Sequence, residues 1–145
     1  MLTINARLLS LGQTPQEFAG ELRRRAEEAA SQALAETGAE ISADIKQSLS
    51  VSVSGSGGKK IRSKPFEPPR SETGRLLSSI DFEVVRDEDG PALRVGDLRG
   101  EAPYAKYLEY GTFNMLARPF LAPAFFRRAA ELSEKIISAL RRLLP

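Results

Sequence analysis

The side chains that carry out most protein chemistry are missing from this chain. Its 145 residues contain no histidine and no cysteine. Disulfides, zinc sites built on nitrogen or sulfur, thiol nucleophiles and a serine–histidine–aspartate arrangement are therefore excluded. What remains is carboxylate chemistry: a hard cation held on oxygen, or a pair of acids. Glu67, Glu72 and Glu109 are the acids that a catalytic pocket would have to recruit, and nothing in their spacing demands that they converge. The run Asp87-Glu88-Asp89 lacks the glycine and the distal glutamate of a calcium loop, and with Gly90 behind it the run reads as a hairpin turn. The expectation is a non-enzymatic protein with no catalytic residue, no metal and no cofactor.

Two other clusters could recognise a partner. Lys59, Lys60, Arg62 and Lys64 lie close together in the chain. They could meet DNA phosphates in a non-specific, salt-sensitive way. They could equally be a solvated loop that orders against a neighbouring protein, and no interleaved aromatic residue supports base stacking. Lys+Arg number 21 against 19 Asp+Glu. That surplus makes no case for nucleic acid, and no recognition motif adds to it. Tyr104, Tyr107 and Tyr110 are the chain's 3 tyrosines. They fit either core packing or a subunit interface, where tyrosine is enriched.

These residues must be placed by a small set of elements. Residues 1–12 read as a short extended arm. Thr14-Pro15-Gln16-Glu17 then opens a helix, with Thr at the N-cap, Pro in the first turn and Glu three residues after the cap. Phe18, Leu22, Ala26, Ala29, Ala33, Leu34, Ile41, Ile45 and Leu49 recur mostly at threes and fours. This spacing predicts one long amphipathic helix over 15–48, with Gly38 inside it as the place where a kink could fall. Leu49, Val51 and Val53 alternate with serine in a strand-like way. Residues 54–70, rich in Gly, Ser, Pro and basic residues, read as a long mobile loop.

Thr73-Gly74-Arg75-Leu76 is expected to start a short helical turn capped by Thr73 and anchored by Leu76 and Leu77. Ile80, Phe82 and Val84 alternate with acids, and Leu93 and Val95 flank Arg94. Around the acidic turn this predicts an antiparallel β-hairpin. Residues 103–110 form a short helix in this reading, with Tyr104, Tyr107 and Leu108 on one face and Gly111 as the left-handed residue that ends it. Arg118-Pro119-Phe120 sets the start of the last helix, over 120–143, whose apolar positions run from Leu121 and Phe125 to Leu140 and Leu143. An ion pair between Glu109 and Arg118 is expected to clamp the intervening turn. The fold class is thus α+β in a single domain: long N-terminal helix, antiparallel β-hairpin or small sheet, short helix, and C-terminal helix packed on one face. A chain this long can afford one core, with oligomeric contacts supplying part of the burial. No run of about 18 apolar residues exists to span a membrane, and no secretory leader pattern precedes the first helix.

Three segments in this order resemble one family. They are Pro65-Phe66-Glu67-Pro68-Pro69 with Thr73-Gly74-Arg75-Leu76-Leu77-Ser78-Ser79-Ile80; Tyr104-Ala105-Lys106-Tyr107-Leu108-Glu109-Tyr110-Gly111-Thr112; and Ala117-Arg118-Pro119-Phe120-Leu121-Ala122-Pro123-Ala124. Together they are similar to the neck, or head–tail connector, proteins of the gene-product-ten-like family of long-tailed bacteriophages. Phe66 departs from the pattern, since a glycine is commoner there. The resemblance implies a structural subunit of a homo-oligomeric ring, six- or twelve-fold, located in the virion neck after synthesis in the host cytoplasm. Implied partners are the head-closure or adaptor proteins on one side and the tail-terminator or tail-tube proteins on the other, with non-specific contact to DNA in the channel. A tail terminator or tail-completion protein is the alternative within the same class. A nucleic-acid-binding accessory protein is the alternative outside it.

Overall fold

The computed structural model describes residues 14–50, 63–70 and 74–143. The expected N-terminal arm, the strand-like Val51 and Val53, the Thr73 cap, and Lys59, Lys60 and Arg62 lie outside the described residues. The elements in chain order are α1 (Pro15–Ser50), α2 (Arg75–Ser79), β1 (Ile80–Asp87), β2 (Gly90–Asp97), α3 (Ala105–Tyr110) and α4 (Leu121–Arg141). This is the α+β arrangement anticipated from the sequence.

Helix α1 is one unbroken helix of 36 residues, about 54 Å long at 1.5 Å per residue. Its start is the anticipated capping box. The Thr14 N–H donates to Glu17 Oε2 at 2.7 Å, and the Glu17 N–H donates to Thr14 Oγ1 at 3.2 Å. These bonds to Thr14, the backbone one foremost, hold the Glu17 carboxyl below the usual glutamate range. The helix runs on through Ser48 to Ser50, so Leu49 is a buried helical residue and not the beginning of a strand. Its serines take hydrogen bonds inside the helix, with Ser48 Oγ bonded to the Ile45 carbonyl at 2.7 Å. A Leu-x-Val-x-Val alternation thus begins one residue before a helix ends.

The buried positions of α1 all lie in its second half: Ala33, Leu34, Thr37, Gly38, Ile41, Ser42, Ile45 and Leu49. Two layers cover them. On one side lies the hairpin, with β1 and β2 antiparallel and paired from Ile80 with Asp97 to Asp87 with Gly90. Gly38 allows this approach, because a Cβ there would stand 2.5 Å from Phe82 and 2.6 Å from Leu93. A residue that reads as a weak point in a helix is therefore where the sheet comes closest. The Asp87 carboxylate accepts the N–H groups of Asp89 and Gly90 at 3.0 and 3.1 Å, so the acidic run is the expected turn.

On the other side α4 runs antiparallel to α1. Arg128 meets Asp44, and Lys135 meets Glu40. Ala124 is the one fully buried residue of α4. The core gathers Ile41, Ile45 and Leu49 of α1 with Leu76, Ile80, Ala102, Ala105, Phe120 and Ala124.

Candidate functional site

The segment from α2 to the start of α4 holds most of the sequence-predicted residues, and its backbone is closely specified. Gly74, at φ 73°, is the N-cap of α2. This left-handed glycine also offers its carbonyl to the helix, accepting the Ser78 N–H at 2.9 Å. Leu76 is buried as expected. Gly111 ends α3 at φ 77°, with its N–H donated to the Tyr107 carbonyl at 2.9 Å. A Cβ on Gly111 would lie 2.8 Å from the Met115 carbonyl oxygen and 2.9 Å from the Ala117 nitrogen. Only glycine fits both the dihedral and the space. Thr112 and Met115 then exchange backbone hydrogen bonds at 2.8 and 3.2 Å, closing a small turn that carries Phe113.

Glu109 does not pair with Arg118. It is buried, and its carboxylate accepts three backbone N–H groups at the start of α4: Phe120 at 2.8 Å, Leu121 at 3.0 Å and Ala122 at 2.9 Å. The physical reason is the unsatisfied donors at a helix N-terminus, whose dipole favours a negative charge. The residue at the N-cap itself is Phe120, which has no side-chain acceptor, so a carboxylate eleven residues upstream takes that role. Arg118 is anchored through its backbone, its N–H donating to the Leu108 carbonyl at 2.7 Å, while its Nε is buried without a hydrogen-bond partner among the described residues. Pro119 precedes Phe120, which is 2% exposed and among the largest side chains in the core. The clamp anticipated between α3 and α4 thus exists, but a helix N-terminus replaces the arginine as its second half.

The face of α3 that packs inward is Ala105, Leu108 and Glu109, not the one drawn through Tyr104 and Tyr107. Tyr104, Tyr107 and Tyr110 are 40%, 49% and 83% exposed. Lys106 Nζ lies 5.0 Å from the centre of the Tyr107 ring, a cation–π distance. Around the tyrosines stand large apolar side chains that the sequence reading did not single out. Phe113 and Leu116 are exposed in the turn after Gly111, and Phe126 is exposed on α4. Phe125 meets Phe126 edge-to-face at 5.9 Å. With Tyr110, Leu121, Ile41 and Ile45, these two rings line a shallow open groove.

Phe66 joins the same end. Its N–H donates to the Ala117 carbonyl at 2.9 Å. At φ 67° it is the one non-glycine residue in the left-handed region among the described residues, a conformation that costs an L-residue about 1–2 kcal/mol. This accounts for the glycine usual at that position in the pattern the chain resembles. Here a phenylalanine holds the same backbone with most of its ring in solvent. Lys64 is exposed beside it, in a turn closed by Glu67 Oε2 accepting the Lys64 N–H at 3.0 Å.

The family model described as "Bacteriophage HK97-gp10, putative tail-component" matches residues 16–111, well over half of the chain. The chain belongs to this family. The match runs from the first turn of α1 through the hairpin to Gly111, so it includes α3 and its tyrosines and stops short of α4. A family of phage tail components makes the chain a bacteriophage structural protein of the virion. No curated protein and no solved structure matches the chain. Among the described residues no His/Cys/Asp/Glu group could hold a metal ion, and no helix is long and apolar enough to cross a membrane.

Proposed function

We propose that the chain is a subunit of the neck ring that joins the capsid portal complex to the tail and leaves a channel for DNA. It acts by assembly and not by catalysis. The observation that carries this reading is the exposure of Tyr104, Tyr107 and Tyr110 inside the family-matched region. Three tyrosines held on a short helix whose opposite face is locked into the core are a surface kept for contact with protein. Copies of such a subunit arranged head to tail close into a ring, six- or twelve-fold, stacked between head-closure or adaptor proteins and tail-terminator or tail-tube proteins. Lys59, Lys60, Arg62 and Lys64 would face either the DNA or an adjoining ring.

The family's description as a tail component favours a second reading, a tail terminator or tail-completion ring. Deleting the gene from the phage that encodes it separates the two. The neck reading expects filled heads and finished tails of normal length that remain unjoined in the lysate. Tails of uncontrolled length would favour the terminator, and intact infectious particles would reject both.

A further inference from the structure

The hairpin is a two-stranded sheet, so each strand has an open edge, and one proline fixes which backbone groups face it. Arg86 pairs with Pro91. A hydrogen-bonded pair in an antiparallel ladder exchanges two N–H···O bonds, and Pro91 has no N–H to give. Arg86–Pro91 is therefore a pair without hydrogen bonds. Such pairs alternate with bonded ones, so Val84–Leu93, Phe82–Val95 and Ile80–Asp97 are of the same kind. Their N–H and C=O groups point away from the partner strand. Phe82 shows this on the β1 side, where its N–H donates to the Asp81 carboxylate at 2.9 Å. On the β2 side the outward N–H groups are those of Leu93 and Val95, and no acceptor meets either one among the described residues.

The same strand borders the open groove. Val95 lines it from β2, Ile41 and Ile45 from α1, and Leu121, Phe125 and Phe126 from α4. An extended segment with an apolar residue at every second position fits such a place. Its backbone continues the sheet, and its alternate side chains enter the groove. The sequence holds a segment of this kind: Leu2, Ile4, Ala6 and Leu8 alternate with Thr3, Asn5 and Arg7. It is tethered to the far end of α1. The helix rises about 39 Å from Pro15 to Ile41 at 1.5 Å per residue. Ile4 stands ten residues before Thr14 and spans at most about 36 Å when fully extended. Ala6 and Leu8 reach less far. The segment therefore falls short of the groove of its own subunit.

We propose that residues 2–8 of one subunit add as a third strand to the open edge of β2 in a second copy of this chain, with Leu2, Ile4, Ala6 and Leu8 set against the groove. The inference rests on the ring reading and names a contact that would make the ring. A segment at one end of α1, gripped at the other end of the next subunit, is a heterologous contact that repeats in one direction. It also completes a sheet that has only two strands within the subunit.

Hydrogen exchange read residue by residue on the full chain tests the contact. The proposal expects the Leu93 and Val95 amides to exchange at least about ten-fold more slowly in the assembled wild type than in the dilute monomer. The Ala92 and Arg94 amides, bonded within the ladder, should be slow in both. Ile4→Asp/Leu8→Asp should weaken self-association at least about ten-fold in sedimentation velocity, with an unchanged circular dichroism melt. When that variant is isotope-labelled and mixed with unlabelled wild type, the wild-type segment should slow exchange at Leu93 and Val95 of the labelled chain. Assembled wild type in which these two amides exchange as fast as in the monomer overturns this contact while leaving the ring reading in place. So do slowing at Phe82 and Val84 in their stead, slow exchange at Leu93 and Val95 already in the dilute monomer, and a double aspartate variant that self-associates like wild type. A wild-type chain that never self-associates, alone or with the neighbouring neck proteins, overturns both.

Discussion

The two halves of α1 share a hydrophobic period and one continuous helix, yet they are stabilised in different ways. From Ala33 to Leu49 the apolar stripe is buried between hairpin and α4. From Pro15 to Gln32 no residue is fully buried. There the capping box is followed by a lattice of charged pairs within the helix: Arg24 with Glu21 and Glu28 at 2.9 and 2.6 Å, Arg25 with Glu21 at 2.7 Å, and Arg23 with Glu27 at 3.0 Å. Hydrogen bonds from Arg24 and then Arg25 pull the Glu21 carboxyl down to about 2. One half is held by tertiary packing and the other by local electrostatics. A periodic stripe therefore marks a surface that can be buried, without saying by what. In the second half the partner is the subunit itself. In the first half Phe18, Leu22, Ala26 and Ala29 are only partly buried among the described residues.

The largest test of that contrast is truncation of the stripe in each half. Ile45→Ala is expected to cost about 2–5 kcal/mol, as for a fully buried aliphatic residue, whereas Leu22→Ala should cost under about 1 kcal/mol in the isolated subunit. Chemical denaturation of both variants measures the difference. Next is Glu109→Ala, which removes the acceptor for three N–H groups at the start of α4. A loss of about 2–3 kcal/mol is expected, with hydrogen exchange accelerating first at the α3–α4 junction.

The glycines make a sharper pair because the two halves should respond with opposite sign. Nothing lies within 4 Å of a Cβ built on Gly20. Gly20→Ala should therefore stabilise by about 0.5–1 kcal/mol through helix propensity. At Gly38 the same change drives a methyl group into Phe82 and Leu93, and overpacking of this kind costs about 1–3 kcal/mol.

Legibility followed the same divide. Local signals were readable: the Thr14–Glu17 box, the period of α1, the hairpin turn at Asp87–Gly90, and the positive φ at Gly111. What stayed hidden were choices made by distant parts of the chain. Glu109 was visible as an acid near Arg118, but the deciding fact was that α4 begins at a phenylalanine with no capping side chain, so its N–H groups had to find an acceptor elsewhere. By type and spacing alone, the tyrosines of α3 fit core packing and a subunit interface equally well. Ala105 and Glu109 settled their exposure, since burying those two on one face turns Tyr107 and Tyr110 outward. The adjacent Phe125-Phe126 pair was a missed signal, because Phe126 stands about 100° round the helix from Phe125, at the edge of the apolar stripe.

The smallest expected effect concerns how α4 is held to α1. Arg128 Nε and Nη2 bind the Asp44 carboxylate at 2.9 and 3.2 Å, and Lys135 reaches both oxygens of Glu40 at 2.8 and 2.7 Å. The Arg128 hydrogen bonds hold the Asp44 carboxyl below the usual aspartate range, and the Arg128 guanidinium is raised in turn. A carboxyl lowered in the folded state contributes stability above its unfolded pKa, and that contribution is lost as pH falls through the folded value. Asp44→Asn should therefore lower the melting temperature at pH 7. The difference from wild type should shrink as pH drops below the ordinary aspartate value of about 3.9.

The central claim is that this subunit works as part of a ring. Electron microscopy of the purified chain, alone and mixed with its neighbouring neck proteins, tests it most directly. The account predicts rings with an open channel, either spontaneous or formed on the neighbouring particle. A compact monomer that never joins those particles would contradict it.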